Sequence, residues 1–349
     1  MKRHKRLTLI IVFALFLIIV LMTGCANQTT NGLDDETQTQ TQTQTQTQTQ
    51  MQEDEKLTIV ASLFPHYDFA RAIAGDYATV TLILPPGIES HAYEPTPKDI
   101  IKITESDVFL YTSEIMEPWA HALIESVDPN RTHVIDMSTG IELIAAIHEE
   151  DAENATETGT ETTTEDDHEE GEYDPHYWLD PNNASIMVES IKNALIEAMP
   201  ENQAIFEANA AELISELEVL DRDFTTAFEK TQSKTILSGG HFAFGYFAKR
   251  YGLDNMSPYV GFSPDAEPTP RRIADLIDTI ESTKAKAIFY EELIDPRVAT
   301  IISEEAGVEM LLLHGAHNIS KDELTDGITY IEIMKGNLER LIIGLGYVE

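Results

Sequence analysis

Cysteine is almost absent from this chain: Cys25 is the only one in 349 residues, so no intramolecular disulfide can form. Basic residues are also scarce. Twenty-three Lys and Arg face sixty-one Asp and Glu, a formal net charge of −38 at pH 7, which excludes a nucleic-acid partner. A field of that sign concentrates cations near the surface. Long apolar runs are missing except Leu7–Met22, and no other stretch approaches a membrane span. There is no His-Glu-x-x-His helix and no obvious nucleophile constellation, which argues against a zinc hydrolase. Glycine is absent from 183–231, a region rich in Ala, Glu, Leu and Ile.

What is present begins with an export signal. Lys2, Arg3, Lys5 and Arg6 precede the apolar run, which ends in Leu21-Met22-Thr23-Gly24-Cys25. That ending resembles the bacterial lipobox, and the resemblance implies that Cys25 is lipidated and starts the mature chain. Residues 26–55, with the Thr-Gln repeat from Thr37 to Gln50, cannot bury enough apolar surface to order. As a flexible coil they reach roughly 30 Å, suited to tethering a domain to a membrane.

From Leu57 onward short apolar runs alternate with helical patterns, which indicates α/β architecture. Strands are expected at Leu57–Ala61, Val80–Leu84, Val108–Tyr111, His133–Ile135, Thr235–Leu237, Ala287–Tyr290 and Met310–Leu313. Helices are expected at Tyr67–Ala74 and at Pro97–Glu105, the latter with Thr96 as N-cap and Pro97 in the first turn. Glu94-Pro95-Thr96-Pro97 recurs as Glu267-Pro268-Thr269-Pro270. Each copy leads into a helix, a strand and an acid-Pro pair, Glu117-Pro118 or Asp295-Pro296, which points to a duplicated lobe. Between the copies, Leu213, Leu217, Leu220 and Phe224 keep helical spacing. One helix from Glu201 to about Lys230, roughly 45 Å long, would act as a strut.

The residues with chemistry are histidines. His176 lies in Asp174-Pro175-His176-Tyr177-Trp178-Leu179-Asp180-Pro181, where two prolines stiffen the backbone that aims its ring. Before it, Glu149–Asp174 carries thirteen acids, His168 and no base. His91, His241 and the pair His314/His317 sit in loops behind expected strand ends, where ligands bind in open α/β sheets. Imidazoles suit zinc, and four of them match its tetrahedral preference. The alternative for each is a buried histidine bonded to backbone. His66 stands just past a strand, as His241 does. His121 and His133 read as packing or surface residues, and His148 and His168 as weak ligands in the acidic loop. Glu291 and Glu292 are placed to orient ligand histidines.

Three segments, Gly87–Pro97, Asp174–Pro181 and Gly239-Gly240-His241, resemble the signatures of the zinc/manganese-binding lipoproteins of bacterial ABC uptake systems, in their zinc-type, ZnuA-like form. The resemblance covers nearly all of Leu57–Glu349. It implies two Rossmann-like (β/α) lobes joined by a long rigid helix, with one metal at the lobe interface and His91, His176 and His241 as ligands. The family's fourth ligand is an acid in many members; here His314-Gly315-Ala316-His317 occupies that place. Alignment selects His317, with His314, or water or a carboxylate, as alternatives. The organisation expected is 1–25 signal peptide, 26–55 linker, 56–182 N-terminal lobe with acidic loop 149–173, 183–231 connecting helices and 232–349 C-terminal lobe. The function implied is a non-enzymatic, monomeric lipoprotein outside the cytoplasm. It captures Zn2+ for an ABC permease and is held to the membrane by its lipid. The alternatives are a manganese-binding or adhesin member of the family, or a zinc-dependent hydrolase.

Overall fold

The computed structural model describes residues 56–91, 93–145, 173–259 and 268–348. Cys25, the signal and linker segments, and the acidic stretch with His148 and His168 lie outside the described residues.

The first half is a parallel sheet with its helices. Strands β1 (Leu57–Ala61), β2 (Ala78–Leu82), β3 (Val108–Tyr111) and β4 (His133–Asp136) run in the order β2-β1-β3-β4. Helix α1 (Phe64–Ala74) crosses from β1 to β2, and α2 (Pro97–Glu105) leads into β3. Helix α2 starts as its sequence requires. Thr96 Oγ1 accepts from Asp99 N, and the Asp99 carboxylate answers the Thr96 backbone N–H, so two orphan donors are satisfied at once. The short helix α3 (Ala120–Ile124) precedes β4. Strand β2 begins two residues earlier than its apolar pattern suggests, because Leu57 pairs with Ala78 and fixes the register. Ile83 and Leu84 are buried in the turn that follows rather than in the ladder.

Two helices then run back to back, α4 (Pro181–Ala198) and α5 (Gln203–Glu229). Helix α5, about 40 Å long by its rise per residue, buries Phe206, Ala210, Leu213, Leu217, Leu220 and Phe224 along one stripe. Its start packs on the first half: Phe206 meets Tyr77 edge-on, and Asn209 Nδ2 donates to Ile73 O at 2.9 Å. Its end packs on the second half, with Phe224 T-shaped against Phe247 at 4.8 Å. The expected strut therefore exists, but it is clamped along its length by packing.

The second half repeats the first. Strands β5 (Thr235–Leu237) and β6 (Asp254–Met256) pair in parallel, as do β7 (Ala287–Tyr290) and β8 (Glu309–Leu312), and a Ser238–Phe289 bridge joins β5 to β7. The resulting order β6-β5-β7-β8 matches β2-β1-β3-β4 strand for strand. Helix α6 (Gly245–Tyr251) links β5 to β6. Helix α7 (Pro270–Thr283), capped by Thr269, leads into β7 as α2 leads into β3. Helices α8 (Arg297–Ala306), α9 (Lys321–Asp326) and α10 (Tyr330–Leu345) complete the chain. Strand β6 had no sequence signal: Asp254 and Asn255 are exposed on a sheet edge, so no apolar alternation marks it.

Candidate metal centre

All strands in each sheet are parallel, so their carboxyl ends and the loops behind them share one edge. His91 follows β2, His241 follows β5 and His317 follows β8, while His176 enters on the segment before α4. The structure brings His91, His176 and His241 together, with one donor nitrogen from each within 4.8 Å of the others. The His91 and His176 Nε2 atoms are 3.3 Å apart. Two ligands on a tetrahedral ion with bonds near 2.05 Å stand about 3.3 Å apart, so this spacing fits a shared ion. His317 borders the trio, its ring centroid 6.4 Å from that of His91.

The rings of His176, His241 and His317 have carboxylates beside them. Asp174 accepts the His176 backbone N–H at 2.9 Å and faces the same residue's Nδ1 at 2.8 Å, turning Nε2 toward His91. This is an Asx-turn, so Asp174-Pro175-His176 carried a readable signal for the ring's orientation that the prolines alone did not. Tyr246 OH donates to Asp174 O, Tyr177 OH to Thr112 O and Trp178 Nε1 to Gly315 O, fixing the segment from three sides. His241 Nδ1 lies 2.6 Å from Glu291 Oε2, which directs Nε2 inward. His317 has Glu291 Oε1 at 3.8 Å from Nε2 and Glu292 Oε1 at 3.6 Å from Nδ1. Gly315 is required here: a Cβ would stand 2.7 Å from His317 Nδ1. Ala316 at φ 55 and Leu293 at φ 61 take left-handed backbone in the two loops that carry His317 and the glutamates.

His314 is differently engaged. Its Nδ1 accepts from Ala316 N at 2.9 Å, and its Nε2 faces Glu323 Oε1 at 3.7 Å. Its backbone is held by Asn337, which accepts from His314 N and donates to His314 O, each at 2.8 Å. Asn337 carried no signal in the sequence. His66 is buried with Nδ1 3.4 Å from Ser62 Oγ, outside the trio. His121 pairs with Glu114 and Glu125 on the surface, and His133 lies near Glu197.

The electrostatics suit cation capture. Burial and neighbouring His176 bring His91 down to about 4, and burial holds His176 well below its ordinary value, so both rings are uncharged at neutral pH. Burial lifts Asp174 to about 7. Burial opposes charge on the His241–Glu291 pair too, yet their mutual attraction wins: Glu291 falls to about 2 and His241 rises. Among the described residues, buried side-chain nitrogens and oxygens without a hydrogen-bond partner fall on Asp174, His241, Glu291, Glu292, His314 and His317, His66 Nε2 being the exception. Orphaned polar atoms are costly. His241 Nδ1 and Glu291 Oε2 face each other at 2.6 Å, and His314 Nε2 faces Glu323; a cation would satisfy the inward-facing imidazole nitrogens of His241 and His317.

The protein family described as zinc-uptake complex component A, periplasmic, matches residues 59–343. The high-affinity zinc uptake system protein ZnuA of Bacillus subtilis is 34% identical over 329 residues, covering 94% of this chain and 95% of that protein. The zinc-binding lipoprotein AdcA of Streptococcus pneumoniae is 34% identical over 291 residues, but this chain spans only 56% of its length. The crystal structure of the Zn(II)-bound ZnuA-like domain of that AdcA superposes with a TM-score of 0.68 at 32% identity, covering 83% of this chain and 99% of that domain. The two-lobe α/β fold and the histidine cluster thus stand in a chain that belongs to the ZnuA family of zinc-uptake components.

Proposed function

We propose that this protein captures Zn2+ outside the cytoplasm and delivers it to a membrane ABC permease, with His91, His176, His241 and His317 as ligands. The observation that carries the reading is the 3.3 Å approach of two imidazole Nε2 atoms beside a third buried imidazole. Nitrogen donors dominate, which favours zinc over manganese. His317 is preferred to His314 because its ring nitrogens have no hydrogen-bond partner, whereas His314 Nδ1 already accepts a backbone N–H. His91 is the one partly exposed member of the set, so it forms the solvent side through which the ion enters and leaves. The ion is cargo: no turnover is required, and release follows docking to the permease.

The domain reading adds a lipoprotein signal over 1–25, a tether over 26–55, an N-terminal lobe over 56–182, connecting helices over 183–231 and a C-terminal lobe over 232–349. Anchoring rests on Cys25, and the expected state is a monomer. Among the described residues no helix is long and apolar enough to cross a membrane. The test is metal content of the purified protein by mass spectrometry, together with competition titration. One tightly held zinc per chain is expected; manganese preferred at neutral pH would overturn the assignment.

A further inference from the structure

The loop that carries His91 is gripped from the other lobe. Asn318, next to His317 and fully buried, donates from Nδ2 to Pro85 O at 2.9 Å and to Ile88 O at 2.6 Å. Its Oδ1 accepts from Ile319 N at 2.8 Å, so both ends of the amide are used. Gly87 N donates to Ile319 O at 2.8 Å, closing a second link between the same segments. The gripped turn also closes on itself, Ile88 N donating to Pro85 O at 3.2 Å, while Ile88 is 46% exposed and Gly87 sits at φ 85. Only a primary amide offers two N–H donors and an acceptor on so short a side chain. Aspartate at 318 would offer no donor to the two carbonyls.

We propose that Asn318 is a positioning residue for metal capture, locking the His91 loop to the His317 loop and so setting how long the ion is retained. The inference rests on the ligand assignment above. His91 is the one partly exposed ligand, and its departure opens the site. Holding its loop in the bound arrangement removes an ordering cost from binding and slows that departure. The side chain acts without touching the ion, as outer partners of metal ligands commonly do.

The experiment is a double-mutant cycle on zinc release, measured by stopped-flow transfer to a chelator, with melting of the metal-free protein in parallel. Asn318→Ala and Asn318→Asp are each expected to speed release by about ten- to a hundredfold. Asn318→Ser, which keeps one donor, should fall between them and the parent, and it supplies a folded variant if the other two fold poorly. In a His91→Ala background the Asn318 substitutions should change release no further, because the residue acts through His91. The same acceleration with and without His91 would make Asn318 a general support of the fold and overturn the proposal, as would unchanged release. One-to-one zinc binding by the parent, weakened by His91→Ala, checks the ligand assignment separately. Failure there overturns the assignment and the inference with it; success there followed by an additive cycle overturns the inference alone.

Discussion

The two lobes place the same three kinds of residue at matching points and use them differently. In the first, Ser62 follows β1, His66 comes four residues later, and Glu117 lies in the loop past β3. In the second, Ser238 follows β5, His241 comes three residues later, and Glu291 lies directly past β7. Glu117 is satisfied by its own loop, accepting from Thr112 N, Ser113 N and Thr112 Oγ1. Burial lifts it to about 7, and no imidazole is needed to hold it. Glu291 receives no such backbone donors. Its stabilisation comes from His241, which overrides burial and brings it to about 2. A carboxylate that completes its hydrogen bonds locally is structure; one left to seek a cation turns neighbouring imidazoles into a site.

The largest effect should come from exchanging those two carboxylates for neutral groups. Glu291→Gln removes the negative charge that aims His241 and should weaken zinc binding by about ten- to a hundredfold. Glu117→Ala should leave zinc affinity close to that of the parent. It strands three donors, however, and should lower the unfolding free energy by about 1–3 kcal/mol. Calorimetric titration and urea denaturation on both variants decide the matter. If the Glu117 variant lost zinc as severely as the Glu291 variant, the division into structural and site carboxylates would fail.

The comparison sharpens at the fourth vertex, where two histidines of one lobe compete. His314 spends Nδ1 on the Ala316 amide, while His317 faces both glutamates with no hydrogen bond to either. His317→Ala should weaken zinc binding at least tenfold, about 1.4 kcal/mol, and His314→Ala by clearly less. The reverse order would transfer the role to His314. Two near-neutral substitutions would leave a three-histidine site completed by water or a carboxylate.

Much of this was legible before any coordinates. His91, His176 and His241 sit in segments whose turn chemistry and strand-end placement are local, and the helix start at Thr96-Pro97 is set by its own four residues. The duplicated lobe was visible because Glu-Pro-Thr-Pro precedes the third strand in both halves. What the sequence hid depends on distant partners. Asn318 reaches Pro85 and Ile88 across more than 200 positions, and Trp178 reaches Gly315 across more than 100. Neither pairing leaves a periodic or spacing signature. Strand β6 was invisible for a related reason: its pairing with β5 is backbone only, and its first two side chains face water.

A smaller effect separates His66 from His241. His241 is raised by its carboxylate, whereas burial takes His66 down to about 3 from 6.5. The unfolded chain therefore binds a proton at this position first. Stability from a neutral His66 is complete above pH 6.5 and is lost progressively as pH falls toward 3. His66→Leu should reduce that acid sensitivity. Urea denaturation of the metal-free protein at pH 7 and pH 4.5 should show a smaller drop in the variant than in the parent, by about 1 kcal/mol or more. Equal drops would mean that His66 is not held neutral, and the contrast between the two histidines would disappear.

The smallest effect concerns the acidic stretch, whose twelve acids and lone His168 immediately precede the stiff Asp174-Pro175-His176 turn. Carboxylates in water hold a divalent ion weakly, because each must give up its hydration for a partner that is itself hydrated. A dense run of them nonetheless raises the local cation concentration, and that speeds encounter more than it deepens the final well. The four proposed ligands all lie outside this stretch. Deleting Glu150–Gly171 should therefore slow zinc capture at low zinc and low ionic strength, while equilibrium affinity stays within a few-fold of the parent. Stopped-flow association across a salt series is the measurement, since a steering effect fades as the Debye length shrinks from about 30 Å at 0.01 M to about 8 Å at 0.15 M. A hundredfold loss of affinity on deletion would instead mean that the stretch supplies a ligand, and the site would then extend beyond the two lobes whose paired loops define it.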